Sequence, residues 1–194
     1  METLVLASHS PRRMELLTLA GIPFETASPD VDESCSLLPS EAVAVLSARK
    51  ALAVSAHYPS RFVLAADTLV AVDGVPLGKP ADEDDACRML RLLSGRTHQV
   101  YTGVSVLSPS GSVLSGTDCT DVTFCTLTEE EIVAYVQSGE PMDKAGAYAL
   151  QGRAALWIEK LNGSHTCVIG LPMVLVRKML LDCGYPLPAT GLKS

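Results

Sequence analysis

The chain has 194 residues, enough for one sizeable core and few for two independent domains. Hydrophobic residues make up 47% and charged residues 19%, which excludes a disordered chain. The net charge of −7 opposes broad, non-specific binding to nucleic acid, although a small anion needs only a local basic pocket.

In chain order, the apolar run Leu4-Val5-Leu6-Ala7 reads as one short strand that breaks at Ser8. Ser10 followed by Pro11 is a helix start, an N-cap hydroxyl with proline at the first helical position. Strand, tight loop and helix together point unpaired N–H groups and the positive end of the helix dipole out of the loop, where an anion can sit. Arg12 and Arg13 fall in the first turn, where the dipole disfavours each cation by roughly 0.3–1 kcal/mol. A compensating anion is therefore expected, and phosphate suits the planar guanidinium fork. An Arg-Arg pair by itself would read as solvated; the loop and the helix start favour an anion site.

The first helix carries Met14, Leu17 and Ala20 and stops at Gly21, and Ile22 to Thr26 is strand-like. The acidic loop Asp30-Val31-Asp32-Glu33 is either solvated or, folded over a phosphate site, a holder of a divalent cation. Ser40 to His57 reads as a long helix with Val43, Leu46 and Ala53 among good helix formers. Its Lys50, taken alone, reads as solvated. Arg61 to Thr68 is an apolar run ending in an aspartate, the pattern of a buried central strand whose C-terminal end opens into a cleft. Asp67 there can polarise a water, hold a metal or cap the following turn. Leu69 to Val72 and an Asp73-Gly74 turn lead to Gly78-Lys79-Pro80, a loop that frees the Lys79 ammonium to reach a phosphate. The spaced glycines of a P-loop are missing.

Asp82 with Asp85 resembles a capping box, followed by Ala86, Met89, Leu90 and Leu93 at helical spacing up to Gly95. His98 to Leu107 and Val113 to Cys125 read as a long half-buried hairpin. Thr128 with Glu131 opens another helix, carrying Ile132, Val133 and Val136 and closing at Gly139. The loop from Glu140 to Gly152 is dense in small residues that let backbone approach a ligand closely. Its Gln151 offers an amide, the complement of a planar base with a carbonyl beside an N–H. Ala155 to Leu161 and Thr166 to Ile169 read as strands, and Gly170-Leu171-Pro172 begins a last helix with Met173, Val176 and Leu180 on one face, ending at Gly184.

The six cysteines form no C-x-x-C pair and have no zinc-finger spacing to histidine, so they read as buried thiols of a reducing compartment. No apolar stretch approaches the roughly 20 residues of a bilayer span, and no cationic region precedes the first apolar run, which points to a cytoplasmic protein without a membrane partner. The expected organisation is α/β, a single unit over residues 1–194 with two lobes and a frayed tail at 186–194.

The segment from Leu6 to Leu17, Leu-Ala-Ser-His-Ser-Pro-Arg-Arg-Met-Glu-Leu-Leu, resembles the N-terminal signature of the Maf family of nucleotide pyrophosphatases. Ala66-Asp67-Thr68, Gly78-Lys79-Pro80, Ser94 to Val100, Asp143 to Tyr148, Gln151-Gly152 and Gly170-Leu171-Pro172 follow in the family's order and at about its spacing. The resemblance implies a mixed β-sheet flanked by helices, elongated, with two lobes around a nucleotide-binding cleft. It implies hydrolysis of a nucleoside triphosphate to the monophosphate and pyrophosphate, assisted by a divalent cation such as Mg²⁺ or Mn²⁺. Asp67 matches the base that activates water, and Ser8, Arg12, Arg13, Lys50 and Lys79 match phosphate-holding positions. Glu33 matches an acidic position near the metal, with Asp67 as a second metal contact. Arg12, Thr68 and Gln151 match positions tied to base choice, and the motifs resemble the branch acting on dTTP and UTP. A homodimer is implied in the same way. Two departures stand out: His9 lies between the serines of the first motif, and His165 stands where this branch tends to carry tyrosine. The alternative is a nucleotide-binding regulator of septum formation with little turnover; a sensor has no need of a base, so Asp67 favours an enzyme.

Overall fold

The structure is a computed structural model and describes residues 2–188, so 189–194, most of the expected frayed tail, lie outside the described residues. Seven strands are present there: β1 (Leu4–Leu6), β2 (Phe24–Thr26), β3 (Val63–Val72), β4 (Val75–Leu77), β5 (Thr97–Leu107), β6 (Val113–Phe124) and β7 (Ile158–Asn162). They form one mixed sheet in the order β2-β1-β3-β5-β6-β7, with β4 paired to β3. β1 runs parallel to both β2 and β3, and the remaining pairings are antiparallel. The described residues also form six α-helices: α1 (Pro11–Leu19), α2 (Pro39–Ser55), α3 (Glu83–Leu93), α4 (Glu129–Gln137), α5 (His165–Ile169) and α6 (Met173–Asp182).

The central strand carries a core on each face because successive side chains alternate. On one face Val63 and Ala65 pack with Val5, Ala51 and Val54, so this side belongs to α2. On the other, Leu64 and Ala66 join Val104, Val106 and Val176 in one apolar cluster. Val70, Val72 and Val100 join Leu90, Phe124 and Trp157 in a second. Thr68 and its cross-strand partner Thr102 stand between these two clusters, their hydroxyls 2.9 Å apart. The polar pair thus divides the apolar face in two and leaves room for a polar site at the junction.

Several elements differ from expectation for identifiable reasons. The N-cap residue Ser10 makes no side-chain cap, and it is Ser8 whose hydroxyl accepts the Ser10 N–H at 3.2 Å. Thr166 to Ile169 is helical despite its β-branched residues. The Thr102 hydroxyl donates to the Cys167 carbonyl and the Thr120 hydroxyl to the Ser164 carbonyl, while Gly170 at φ 114° closes the turn, so tertiary bonds override local propensity. Arg153–Trp157 is a 3₁₀ turn, and strand pairing begins only at Ile158. In α4 Tyr135 is buried where Val133 was expected, Val133 being 40% exposed. Of the six cysteines, all free, only Cys167 is buried; Cys119 is exposed because the first half of β6 turns that face to solvent.

Candidate active site

The cleft exists because two neighbours of β3 are short. β1 pairs with β3 only at Val5↔Val63 and Leu6↔Leu64, and β4 pairs only from Val70 to Val72. Between them the edge of β3 is bare, and Asp67 and Thr68 sit on it. Asp67 therefore lies in mid-strand, five residues before Val72, and the expected strand end is corrected to a strand continuing past a neighbour that stops. The opening is a cleft of about 650 Å³.

Asp67 is 8% exposed and Lys50 7%. The Lys50 Nζ donates to Asp67 Oδ1 at 2.6 Å and lies 2.7 Å from Glu33 Oε1. The solvated reading of Lys50 taken alone is thus overturned: it is a buried cation between two carboxylates. It gets there because α2 lies against β5 at Gly103, the residue paired with Asp67. A Cβ on Gly103 would stand 2.1 Å from the Val43 carbonyl oxygen, so only glycine permits this approach. Hydroxyls of Ser47 and Ser105, 2.9 Å apart, add a second polar tie between helix and strand. The acidic loop is pinned to the same helix, with Arg49 donating to the carbonyls of Asp32 and Ser34. That brings Glu33 to the cleft, and its hydrogen bond from Lys50 pulls its carboxyl below the usual range.

The first-helix arginines divide their work. Arg13 turns inward and donates to the Gly170 carbonyl at 2.8 Å and to the hydroxyls of Ser8 and Thr68 at 3.2 Å each. Burial lowers its pKa to about 10, against the opposing pull of Asp67, so it stays charged at neutral pH. It ties three segments of the cleft wall together: the Ser8 loop, β3 and the end of α5. Arg12 and Lys79 line the cleft and, among the described residues, make no hydrogen bond or ion pair with a side chain. Lys79 is carried by a loop whose Gly78 carbonyl accepts the Gly146 N–H at 3.0 Å. Gly146 has φ 69°, and a Cβ there would lie 2.9 Å from Val70 Cγ1, so this junction too requires glycine.

The loop from Glu140 to Gln151 supplies the facing wall. Asp143 and Lys144 form an ion pair that lines the cleft, and Asp143 is held below the ordinary carboxylate range by Lys144 first and by Arg12 more weakly. Gln151 lines the cleft, and its Nε2 donates to Glu15 Oε2 of α1 at 3.3 Å. Behind the wall, Tyr148 and His98 bond through OH and Nε2 at 2.8 Å, edge-on to each other at 84°. The ion pair at Asp143, the Glu15 contact and the His98–Tyr148 pair were missed in the sequence; the alternation of His98 with Val100 on β5 was the one signal that His98 faces a core. His9 and His165 are both exposed, His9 in the cleft wall and His165 at the start of α5.

A metal would find two carboxylates, Asp67 and Glu33, and among the described residues no group of three His, Cys, Asp or Glu side chains. That donor set fits Mg²⁺, which is commonly held by one or two carboxylates together with substrate phosphates.

A mixed α/β sheet with a buried carboxylate–ammonium pair on a bare central edge, faced by arginines at a helix start, defines an anion-binding α/β protein. The Maf-like protein profile matches residues 3–183, and the chain belongs to the Maf family. It is 50% identical over 193 residues to the dTTP/UTP pyrophosphatase of Symbiobacterium thermophilum, covering 98% of this chain and 99% of that one. It is 49% identical to the dTTP/UTP pyrophosphatase of a Geobacillus species over 175 residues, covering 89% and 94%. Among solved structures, a HAM1 protein from Coxiella burnetii superposes with a TM-score of 0.51 at 15% identity, covering 94% of this chain and 100% of that one, which shows a shared fold.

Proposed function

We propose that this protein hydrolyses nucleoside triphosphates, dTTP and UTP by preference, to the nucleoside monophosphate and pyrophosphate. The observation that carries this reading is Asp67, a buried carboxylate held by Lys50 at the bare edge of β3 in a cleft lined by Arg12, Arg13 and Lys79. Relatives at 49–50% identity that are named dTTP/UTP pyrophosphatases support it.

Asp67 accepts a proton from water as the oxygen attacks the α-phosphorus, and Lys50 orients the carboxylate while stabilising charge nearby. The bond from the α-phosphorus to the bridging oxygen breaks, and its electron pair leaves with pyrophosphate. Such a step mainly needs placed cations and a placed water, and Ser8, Arg12, Arg13 and Lys79 are the groups that meet the phosphates. A divalent cation arriving with the triphosphate would be held by Asp67 and Glu33 and would supply Lewis-acid polarisation of phosphoryl oxygen. Gln151 pairs its amide with the carbonyl and N–H of uracil or thymine, and Thr68 serves by fixing Arg13 against the cleft wall.

Hydrolysis in ¹⁸O-labelled water tests the point of attack. Label recovered in the monophosphate, with unlabelled pyrophosphate, is the expected result; label in pyrophosphate, or release of a diphosphate with orthophosphate, would overturn it.

A further inference from the structure

The Glu15–Gln151 contact joins α1 to the facing wall across 136 residues of sequence, and among the described residues it is the only side-chain hydrogen bond that Gln151 makes. Exposed and 3.3 Å long, it contributes little to folding, so its consequence lies in orientation. A primary amide has two ends of similar shape and opposite hydrogen-bonding sense, and rotation by half a turn exchanges them. An ionised carboxylate only accepts. It therefore selects the NH₂ end of Gln151 and forbids the flipped amide, whose carbonyl oxygen would face the carboxylate.

This one-way constraint has a chemical reading. With one Nε2 hydrogen committed to Glu15, Gln151 is left with Oε1 as acceptor and the second hydrogen as donor, side by side in a set order. Uracil and thymine present N3–H beside a carbonyl; cytosine presents a bare N3 beside an amino group, the same edge with donor and acceptor exchanged. An amide free to flip pairs with either. An amide held in one order pairs with one of them and meets the other with donor against donor and acceptor against acceptor.

We propose that Glu15 is a specificity-positioning residue, which fixes the Gln151 amide in the order that accepts uracil or thymine and rejects cytosine. Glu15 is absent from the cleft lining and acts only through Gln151. The assignment rests on the pyrimidine triphosphatase reading above.

The test is kcat/KM for UTP and CTP with the wild-type chain, Glu15→Gln, Glu15→Lys, Gln151→Ala and the Glu15→Gln/Gln151→Ala pair. Glu15→Gln supplies a partner that both donates and accepts, so the UTP:CTP ratio should fall about tenfold, the scale of one hydrogen bond made or mismatched. Glu15→Lys supplies donors only, draws Oε1 toward itself and should move the ratio further toward CTP. In the Gln151→Ala background Glu15→Gln should leave the ratio where Gln151→Ala has put it, as a shared pathway requires. A ratio unchanged in both Glu15 variants, or shifted equally with and without Gln151, overturns the assignment while the triphosphatase reading stands. A wild-type chain that shows no preference for UTP overturns the substrate reading, and this assignment with it.

Discussion

Lys50 Nζ and Asp67 Oδ1 lie 2.6 Å apart on α2 and β3, with side chains 9% and 11% exposed. A buried pair of this kind owes its character to geometry, because desolvation offsets much of the attraction, and removing one partner strands the other charge. Lys50→Ala leaves Asp67 buried without its cation and should lower unfolding stability by about 3–5 kcal/mol. Asp67→Asn keeps a carbonyl acceptor for Lys50 and should cost clearly less. Urea midpoints of the two variants check this, and equal losses would contradict the asymmetry.

Gly103 carries the close approach of α2 to the sheet at the position paired with Asp67. Gly103→Ala places a methyl where the Val43 carbonyl stands, so the helix must retreat. The expected cost is about 1–3 kcal/mol of stability. Since Lys50 rides on that helix, turnover should fall more steeply than stability, measured as kcat at a temperature well below the variant's melting point. An unchanged kcat would show that Lys50 tolerates the shift.

How much of this site was legible in the sequence depends on whether its signals were local. The strand–loop–helix around Ser8 to Arg13 is a local pattern, and it is present with Arg12 and Arg13 lining the cleft. The Thr128–Glu131 capping box is local as well and is present with both of its bonds. Lys50 was not legible from its own helix, because its burial depends on Gly103, 53 residues further on, letting α2 settle against β5. The place of Asp67 in mid-strand was hidden for a related reason: the run after Thr68 stays strand-like, and what opens the cleft is the early end of β1. The helix at His165–Ile169 was not legible because threonine hydroxyls on β5 and β6, far away in sequence, donate to the carbonyls of Cys167 and Ser164 and outweigh β-branched residues.

His98 is fully buried, and among the described residues its Nδ1 has no hydrogen-bond partner. Burial pushes its pKa down from 6.5 to about 4. The folded state thus takes up the proton less readily than the unfolded chain, which binds it from pH 6.5 downward. Stability from this group is fully present above pH 6.5 and is lost as pH falls from 6.5 to about 4. At about 1.4 kcal/mol per pH unit, the loss across that window is about 3 kcal/mol. Stability measured in urea at a series of pH values should therefore decline over this range, and His98→Phe should decline less steeply. Parallel profiles for the two proteins would show that other groups govern the acid limb.

The proposed role of Asp67 is base chemistry on a pyrimidine nucleoside triphosphate. It is tested most directly by pyrophosphate release from dTTP, UTP, CTP, dATP, GTP and 7-methyl-GTP, with Mg²⁺ and with chelator, for the wild-type chain and Asp67→Asn. Metal-dependent release confined to dTTP and UTP is expected, with a fall of about 10²–10⁴-fold in kcat for Asp67→Asn and nucleotide binding retained. Near wild-type turnover by Asp67→Asn would contradict it, and binding of UTP without turnover by the wild-type chain would make the cleft a nucleotide sensor.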